Sequence, residues 1–165
     1  MVMSAYFPSS NKPDVKGLIQ ALSQNTSDDT LSRAITPPQW EALGAYLQPF
    51  SIAESQTLIT QGSQDRTVYF IETGSLSVHY EDEAGRVRLA ILGAGSAVGE
   101  GGFFSHLPRS ATVQAVGACK LWRLTPMKFA ELSNRQPVVA LALVMGLGGL
   151  VARRMTDQRK RIAVT

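Results

Sequence analysis

Between Ser51 and Leu124 the chain is written in short apolar runs broken by Gly, Asp and Pro, and this pattern limits the possible folds more than any other feature. Val68-Tyr69-Phe70-Ile71, Leu76-Ser77-Val78-His79-Tyr80, Val87 to Leu92 and Cys119 to Leu124 have the length and β-branched, aromatic content of strands. Glu81-Asp82-Glu83-Ala84-Gly85 is a polar connection ending in Gly, as expected of a hairpin. Many short strands with Gly turns point to a sandwich or jelly roll. Helical signals flank the block. Pro37-Pro38 opens a helix through Trp40, Leu43 and Leu47, and Thr125-Pro126 opens helical sequence that continues to the end. Residues 1–33 are rich in Ser, Asn, Asp and Pro and read as a loosely attached arm with one short helix near Val15–Leu22. The expected fold is therefore mainly β with flanking helices: a double-stranded β-helix or jelly roll with an N-terminal helix and a long C-terminal helix. The expected division is 1–36 for the arm, 37–135 for the jelly roll and its preceding helix, and 136–165 for the long helix.

With 165 residues, 44% hydrophobic and 18% charged, the chain can bury a real core and is not of disordered composition. One Cys excludes an internal disulfide framework, and no charged-then-apolar leader opens the sequence, so a cytoplasmic setting is expected. His79 and His106 have no acid or Cys at metal-ligand spacing, and Ser105 and Ser110 have no partner base. No metal, no required cofactor and no catalytic residue are expected; the chain reads as a non-enzyme.

The chemistry is concentrated in residues 98–113. A Gly-rich turn opening a short helix offers backbone N–H groups and a helix dipole to an anion. Arg109 adds a planar fork for two phosphate oxygens, and Glu100 accepts hydrogen bonds from sugar hydroxyls. One anion seat, one fork and one hydroxyl acceptor describe a small phosphorylated sugar. An ordinary ion pair between Glu100 and Arg109 is the competing reading.

Gly99-Glu100, eight residues, then Arg109-Ser110-Ala111-Thr112 resembles the phosphate-binding cassette of cyclic-nucleotide-binding domains. Leu58 to Gly62, Val68 to Ile71, Gly74 to Val78 and Gly93 to Ser96 are similar to that family's early strands and turns, so the resemblance covers roughly residues 38–163. It implies a regulatory module whose ligand is cyclic AMP or cyclic GMP, the former preferred. The ligand-binding candidates are Gly99, Glu100, Gly101, Gly102, Phe103, Arg109, Ser110, Ala111 and Val113. Glu100 and the Gly99 backbone would take the ribose; Arg109 and the N–H groups around Gly102–Phe103 and Ser110–Ala111 would take the phosphate. Truncating Arg109 is expected to abolish binding while leaving the apo fold nearly unchanged. Gly101 and Ser96 depart from the family pattern, Gly101 replacing a bulky aliphatic residue.

Pro137 to Ala152 carries no charge and is shorter than the roughly 20 apolar residues a bilayer needs, so a buried helix is expected and no membrane contact. Gly146, Gly148 and Gly149 call for close approach of another backbone. Ala140, Val144, Leu147, Val151 and Met155 recur at helical spacing. By resemblance this helix is the lid over the base and the interface of a homodimer; packing of the stripe on its own barrel is the alternative. Arg153, Gln158 and Arg159 are candidates to approach the base. From Arg153 to Arg161 there are five basic residues and one acid, best read as a solvated helix end. Because no helix-turn-helix follows, sequence-specific DNA binding is not expected. Two further readings stand beside the sensor: a non-binding dimerisation or interaction scaffold, and a transcription-regulator-like sensor domain. In the sensor reading an effector protein is a candidate partner.

Overall fold

In the computed structural model, which describes residues 12–31 and 33–157, two four-stranded antiparallel sheets lie face to face. The strands are β1 (Gln48–Ile52), β2 (Thr57–Ile59), β3 (Val68–Thr73), β4 (Leu76–Asp82), β5 (Gly85–Leu92), β6 (Ala97–Val98), β7 (Thr112–Ala115) and β8 (Cys119–Leu124). One sheet has the order β1-β8-β3-β6 and the other β2-β7-β4-β5, the crossing pattern of a jelly roll. The β4–β5 hairpin turns through Glu83-Ala84, with the Asp82 carboxylate accepting from the Ala84 N–H at 2.8 Å.

β3, an inner strand of the first sheet, is buried on both faces, which explains why Val68 to Ile71 is a continuous apolar run. Tyr69 and Ile71 of β3, with Cys119 and Leu121 of β8, enter the core between the sheets. Their neighbours Val68, Phe70, Trp122 and Leu124 point the other way, into a second core roofed by helices. That roof is α1 (Lys16–Gln24), α2 (Pro37–Leu43), α4 (Pro126–Arg135) and α5 (Pro137–Thr156). The remaining helix, α3 (Glu100–Ser105), follows β6.

Local signals set the helix starts. Thr36 and Gln39 form a reciprocal capping box before Pro37-Pro38, and Thr125 caps α4 ahead of Pro126. Pro137 ends the α4 ladder and starts α5 in a new direction.

Two expectations change here. The segment read as a loosely attached arm is docked from Val15 onward. Val15, Leu18 and Leu22, with Leu31 and Ile35 beyond them, are buried in the helix-side core, because three apolar residues at helical spacing complete the cover of β3. The α5 stripe is also different. Ala140 and Leu147 are buried against the domain's own core with Leu143 and Leu150; Val144 and Val151 are half-buried, and Met155 is exposed. α5 is 20 residues long, by length and composition enough to cross a membrane, but its Leu143–Leu147–Leu150 face packs into the helix-side core. Gly146 supplies the close approach expected of the glycines: a Cβ there would stand 3.0 Å from the Ala34 Cβ, so α5 lies directly on the segment after α1. Gly148 faces open space.

The docking of α1 is testable. Leu18→Ala should lower unfolding free energy by about 2–5 kcal/mol in a denaturant titration, the cost of emptying a fully buried leucine site. A change below about 0.5 kcal/mol would mean that α1 is not part of the core.

Candidate ligand site

The turn between β6 and α3 places Gly99 at φ 91°, in the left-handed region, as the residue before the helix. A Cβ there would lie 2.5 Å from the Thr67 carbonyl oxygen, so only Gly fits. Glu100 is consequently the first residue of α3 and is completely buried. Gly101 continues the helix, and Gly102 leaves room for the Arg109 side chain: a Cβ at 102 would be 3.0 Å from Arg109 Nη1. Phe103 is buried and meets the ring of Phe129 on α4 edge-on at 5.0 Å, tying the cassette helix to the helical roof. Ser110 is exposed, whereas Ala111 and Val113 point into the core between the sheets.

Arg109 is fully buried and acts inside the loop. Its Nη1 donates to the Gly99 carbonyl at 2.7 Å; its Nη2 donates to the Thr67 carbonyl at 2.6 Å and to Asp65 at 3.0 Å. Its backbone is held as well, the Arg109 N–H donating to Ser63 and its carbonyl accepting from Gly62. Burial alone would raise the Asp65 pKa, but hydrogen bonds from Thr67 and the Arg109 charge outweigh it and hold the carboxyl below its ordinary value. Asp65 and Thr67 are members of the site that the sequence reading missed. Arg109 therefore staples three chain segments, and truncating it cannot leave the apo fold nearly unchanged as expected from sequence: it would strand a buried hydrogen-bond network.

Glu100 does not pair with Arg109. Its Oε1 accepts from Arg154 Nη1 of α5 at 2.6 Å, while Oε2 is buried with no partner among the described residues. Arg154 is itself buried. Its Nε donates to Asp29 at 2.7 Å, and its Nη2 donates to Asp29 at 3.1 Å, the Ser96 hydroxyl at 3.0 Å and the Ala97 carbonyl at 2.7 Å. Ser96 also donates to Asp29 at 2.6 Å. Burial pushes the Glu100 carboxyl up from its ordinary value, and the Arg154 charge opposes this. Burial would lower the Arg154 pKa, but Glu100 and Asp29 more than compensate and hold the guanidinium charged. One cation thus joins α5, the cassette helix and the segment after α1. Beside it, Asp28, Asp29, Arg153 and Arg154 line a cleft of about 400 Å³.

Of the residues proposed to approach the base, Arg153 instead donates to the carbonyls of Asp28 (2.7 Å) and Thr30 (2.8 Å). Gln158 and Arg159 lie outside the described residues. The signal for Arg154 was available in the sequence: Leu143, Leu147, Leu150 and Arg154 follow a 4-3-4 spacing, which puts Arg154, not Arg153, on the inward face. Among the described residues no group of three or more His, Cys, Asp or Glu could hold a metal ion.

A family model for the cyclic nucleotide-binding domain matches residues 49–136. The chain belongs to this family. The cAMP-activated global transcriptional regulator CRP of Salmonella typhimurium is 32% identical over 134 residues, covering 80% of this chain and 62% of CRP. The crystal structure of a cyclic nucleotide-binding domain from Methylobacillus flagellatus shares the fold with a TM-score of 0.75, at 21% identity over 88% of this chain and 80% of that one. The catabolite activator protein of Thermus thermophilus superposes with a TM-score of 0.66, at 26% identity over 79% of this chain and 59% of that one. As a cyclic nucleotide-binding domain the chain belongs to a ligand-binding family. Because it spans under two thirds of a relative named as a transcriptional regulator, the expectation against DNA binding has no support and is withdrawn.

Arg154→Leu tests the buried network. Breaking the pair by removing one partner should cost about 3–5 kcal/mol near neutral pH. Without the cation, burial and the Asp29 charge act on Glu100 and hold its folded pKa further above the unfolded value near 4.5. Such a group stabilises the fold below the unfolded value, and that stabilisation is lost as pH rises through the folded value. The deficit of the variant against the parent should therefore be smallest in acid and grow toward neutral pH. Denaturation of both proteins across pH measures it; a deficit independent of pH would remove Glu100 from the network.

Proposed function

We propose that this domain senses a cyclic mononucleotide, with cyclic AMP preferred to cyclic GMP, and relays binding through movement of α5. The observation that carries this reading is the 2.6 Å contact of Arg154 on α5 with Glu100 of the cassette. A ribose hydroxyl donating to Glu100 competes with Arg154 for that carboxylate or takes up its unpartnered Oε2. Either way the ligand's affinity depends on where α5 stands, and by reciprocity the ligand shifts α5. Asp29, Ser96 and the Ala97 carbonyl can retain the guanidinium if Glu100 releases it.

In this assignment residues 37–135 form the binding unit and 136–165 the lid. The phosphate is received by Arg109 and by the N–H groups of Gly102 and Ser110–Ala111, and the ribose by Glu100 and the Gly99 backbone; the Phe103 N–H, a phosphate donor in the sequence reading, is taken by the Gly99 carbonyl at 3.2 Å. Arg109 must then exchange the Asp65 carboxylate for phosphate oxygen, a like-for-like replacement of one anion by another. No cofactor is required, and the setting is cytoplasmic.

Isothermal titration of nucleotide-stripped protein with cyclic AMP, cyclic GMP and 5′-AMP tests the assignment. Saturable binding of the cyclic forms, tighter for cyclic AMP and absent for 5′-AMP, is expected. Glu100→Gln, which keeps the shape but not the charge, should weaken it by about tenfold or more. The scaffold reading has one observation in its favour: in this structure both Glu100 and Arg109 are engaged within the protein. Absence of heat with all three nucleotides at more than one temperature would select it.

The domain acts as a homodimer through α5, but by a face other than the one read from sequence. Val138, Leu141, Met145, Gly148, Ala152 and Met155 are exposed and follow a 3-4-3-4-3 spacing, the seam of a two-helix coiled coil. Five apolar side chains with an open glycine leave room for a second helix at close range. Met145→Asp should convert a dimer to a monomer in sedimentation equilibrium; unchanged mass would exclude this seam. As the sensor part of a transcriptional regulator, such a dimer would present two linked α5 ends, a reading supported by the similarity to CRP.

A further inference from the structure

The outer face of the second sheet carries a cationic pocket that no residue of the cassette lines. Leu76 and Val78 of β4 point into the inter-sheet core, so Ser77 and His79 point outward, yet both are buried, at 7% and 3% exposure. They are covered by Arg86 and Arg88 of β5 and Gln114 of β7, which with Ser55 line a cavity of about 370 Å³.

A break in register makes this arrangement. β4 and β5 pair Val78 with Ala90 but His79 with Arg88, passing over one residue of β5. Side chains alternate with period two, so without that bulge Arg86 and Arg88 would fall on the core face. The bulge therefore turns two arginines, two residues apart, onto the face of His79.

The hydrogen bonds leave the pocket with donors and no acid. Gln114 Nε2 donates to the Ser55 carbonyl at 2.6 Å, which turns the Gln114 carbonyl oxygen to Arg86 Nη2 at 2.8 Å. The same Nη2 donates to His79 Nδ1 at 3.0 Å, so the neutral ring carries its proton on Nε2. Burial and then the charge of Arg86 hold the His79 pKa below its ordinary value, with Glu81 opposing and Arg88 adding to it. Among the described residues neither Arg86 nor Arg88 forms an ion pair. Two guanidinium groups, an imidazole N–H and two serine hydroxyls surround one cavity that no carboxylate lines; Glu81, opposite Arg86 in the ladder, is the acid whose charge reaches His79.

We infer that this outer-face pocket is a second anion site, built for the phosphate group of a phosphate ester, with Arg88 and Arg86 as the charge partners and His79 as an N–H donor. It does not depend on the cassette binding a cyclic nucleotide.

His79 and His106 are the only histidines in the chain, and His106 is the exposed residue that ends the cassette helix. Their ring resonances separate the two sites in one NMR titration. With inorganic phosphate at constant ionic strength, His79 should shift along a saturating curve and its pKa should rise. Arg88→Gln, an exposed position with no hydrogen bond to lose in the described fold, should weaken that response about tenfold. Glycerol 3-phosphate and phosphatidylcholine vesicles containing phosphatidate then tell a soluble ester from a lipid headgroup; a response of His79 to either supports the site. A shift that follows salt without saturating, one that is equal in Arg88→Gln, one confined to His106, or a response to inorganic phosphate with neither ester would overturn it.

Discussion

One buried guanidinium organises the helical side of this domain. Arg154 leaves the last turn of α5 and reaches Glu100 at the start of the cassette helix, Asp29 after α1, and the Ser96–Ala97 segment entering β6. Each of these groups would be costly to bury alone. Two carboxylates around one guanidinium leave a net negative charge, and the unpartnered Oε2 of Glu100 shows where further donors are wanted. α5 is thus held by Glu100, the residue we propose as the ligand's ribose acceptor. A buried ion pair is weak evidence for stability, but removing one partner leaves the other charge buried and unpaired.

Arg109 shows the complementary case. Read from sequence it is a free fork awaiting a phosphate; in the fold it closes the loop by binding Gly99, Thr67 and Asp65. The two roles are compatible because a guanidinium has five N–H donors and Asp65 is half exposed. The cost of such an arrangement is that variants of Arg109 report on fold and ligand together. Glu100 is the cleaner probe, since Gln preserves its volume.

The architecture was legible because its signals are local. Short strands at Val68, Leu76, Val87 and Cys119, helix starts at Pro37-Pro38 and Thr125-Pro126, and Gly-rich turns all appear where pattern and turn chemistry place them. The cassette was legible as a motif; the burial of its acid and the left-handed Gly99 were not, because both depend on how the turn packs against Thr67. The partners of that motif were not, because Asp29, Asp65 and Arg154 are separated from it by 35 to 71 positions in sequence and meet it only through packing. Arg153 was chosen over Arg154 because adjacent arginines look alike until helical phase is counted from the buried leucines. The docking of α1 was missed for a similar reason: a polar composition around it hid three apolar residues on one face. The outer-face arginines were invisible because a one-residue bulge, which no periodicity predicts, decides the face they occupy.

The central claim is that the ligand and α5 share Glu100, and hydrogen exchange tests it most directly. Amide exchange would be followed with and without saturating cyclic AMP. The account predicts altered protection in the last two turns of α5 and in residues 25–31, together with the cassette, because all three meet at Arg154. Protection that changes in the cassette alone, with α5 and the segment after α1 exchanging as before, would contradict it.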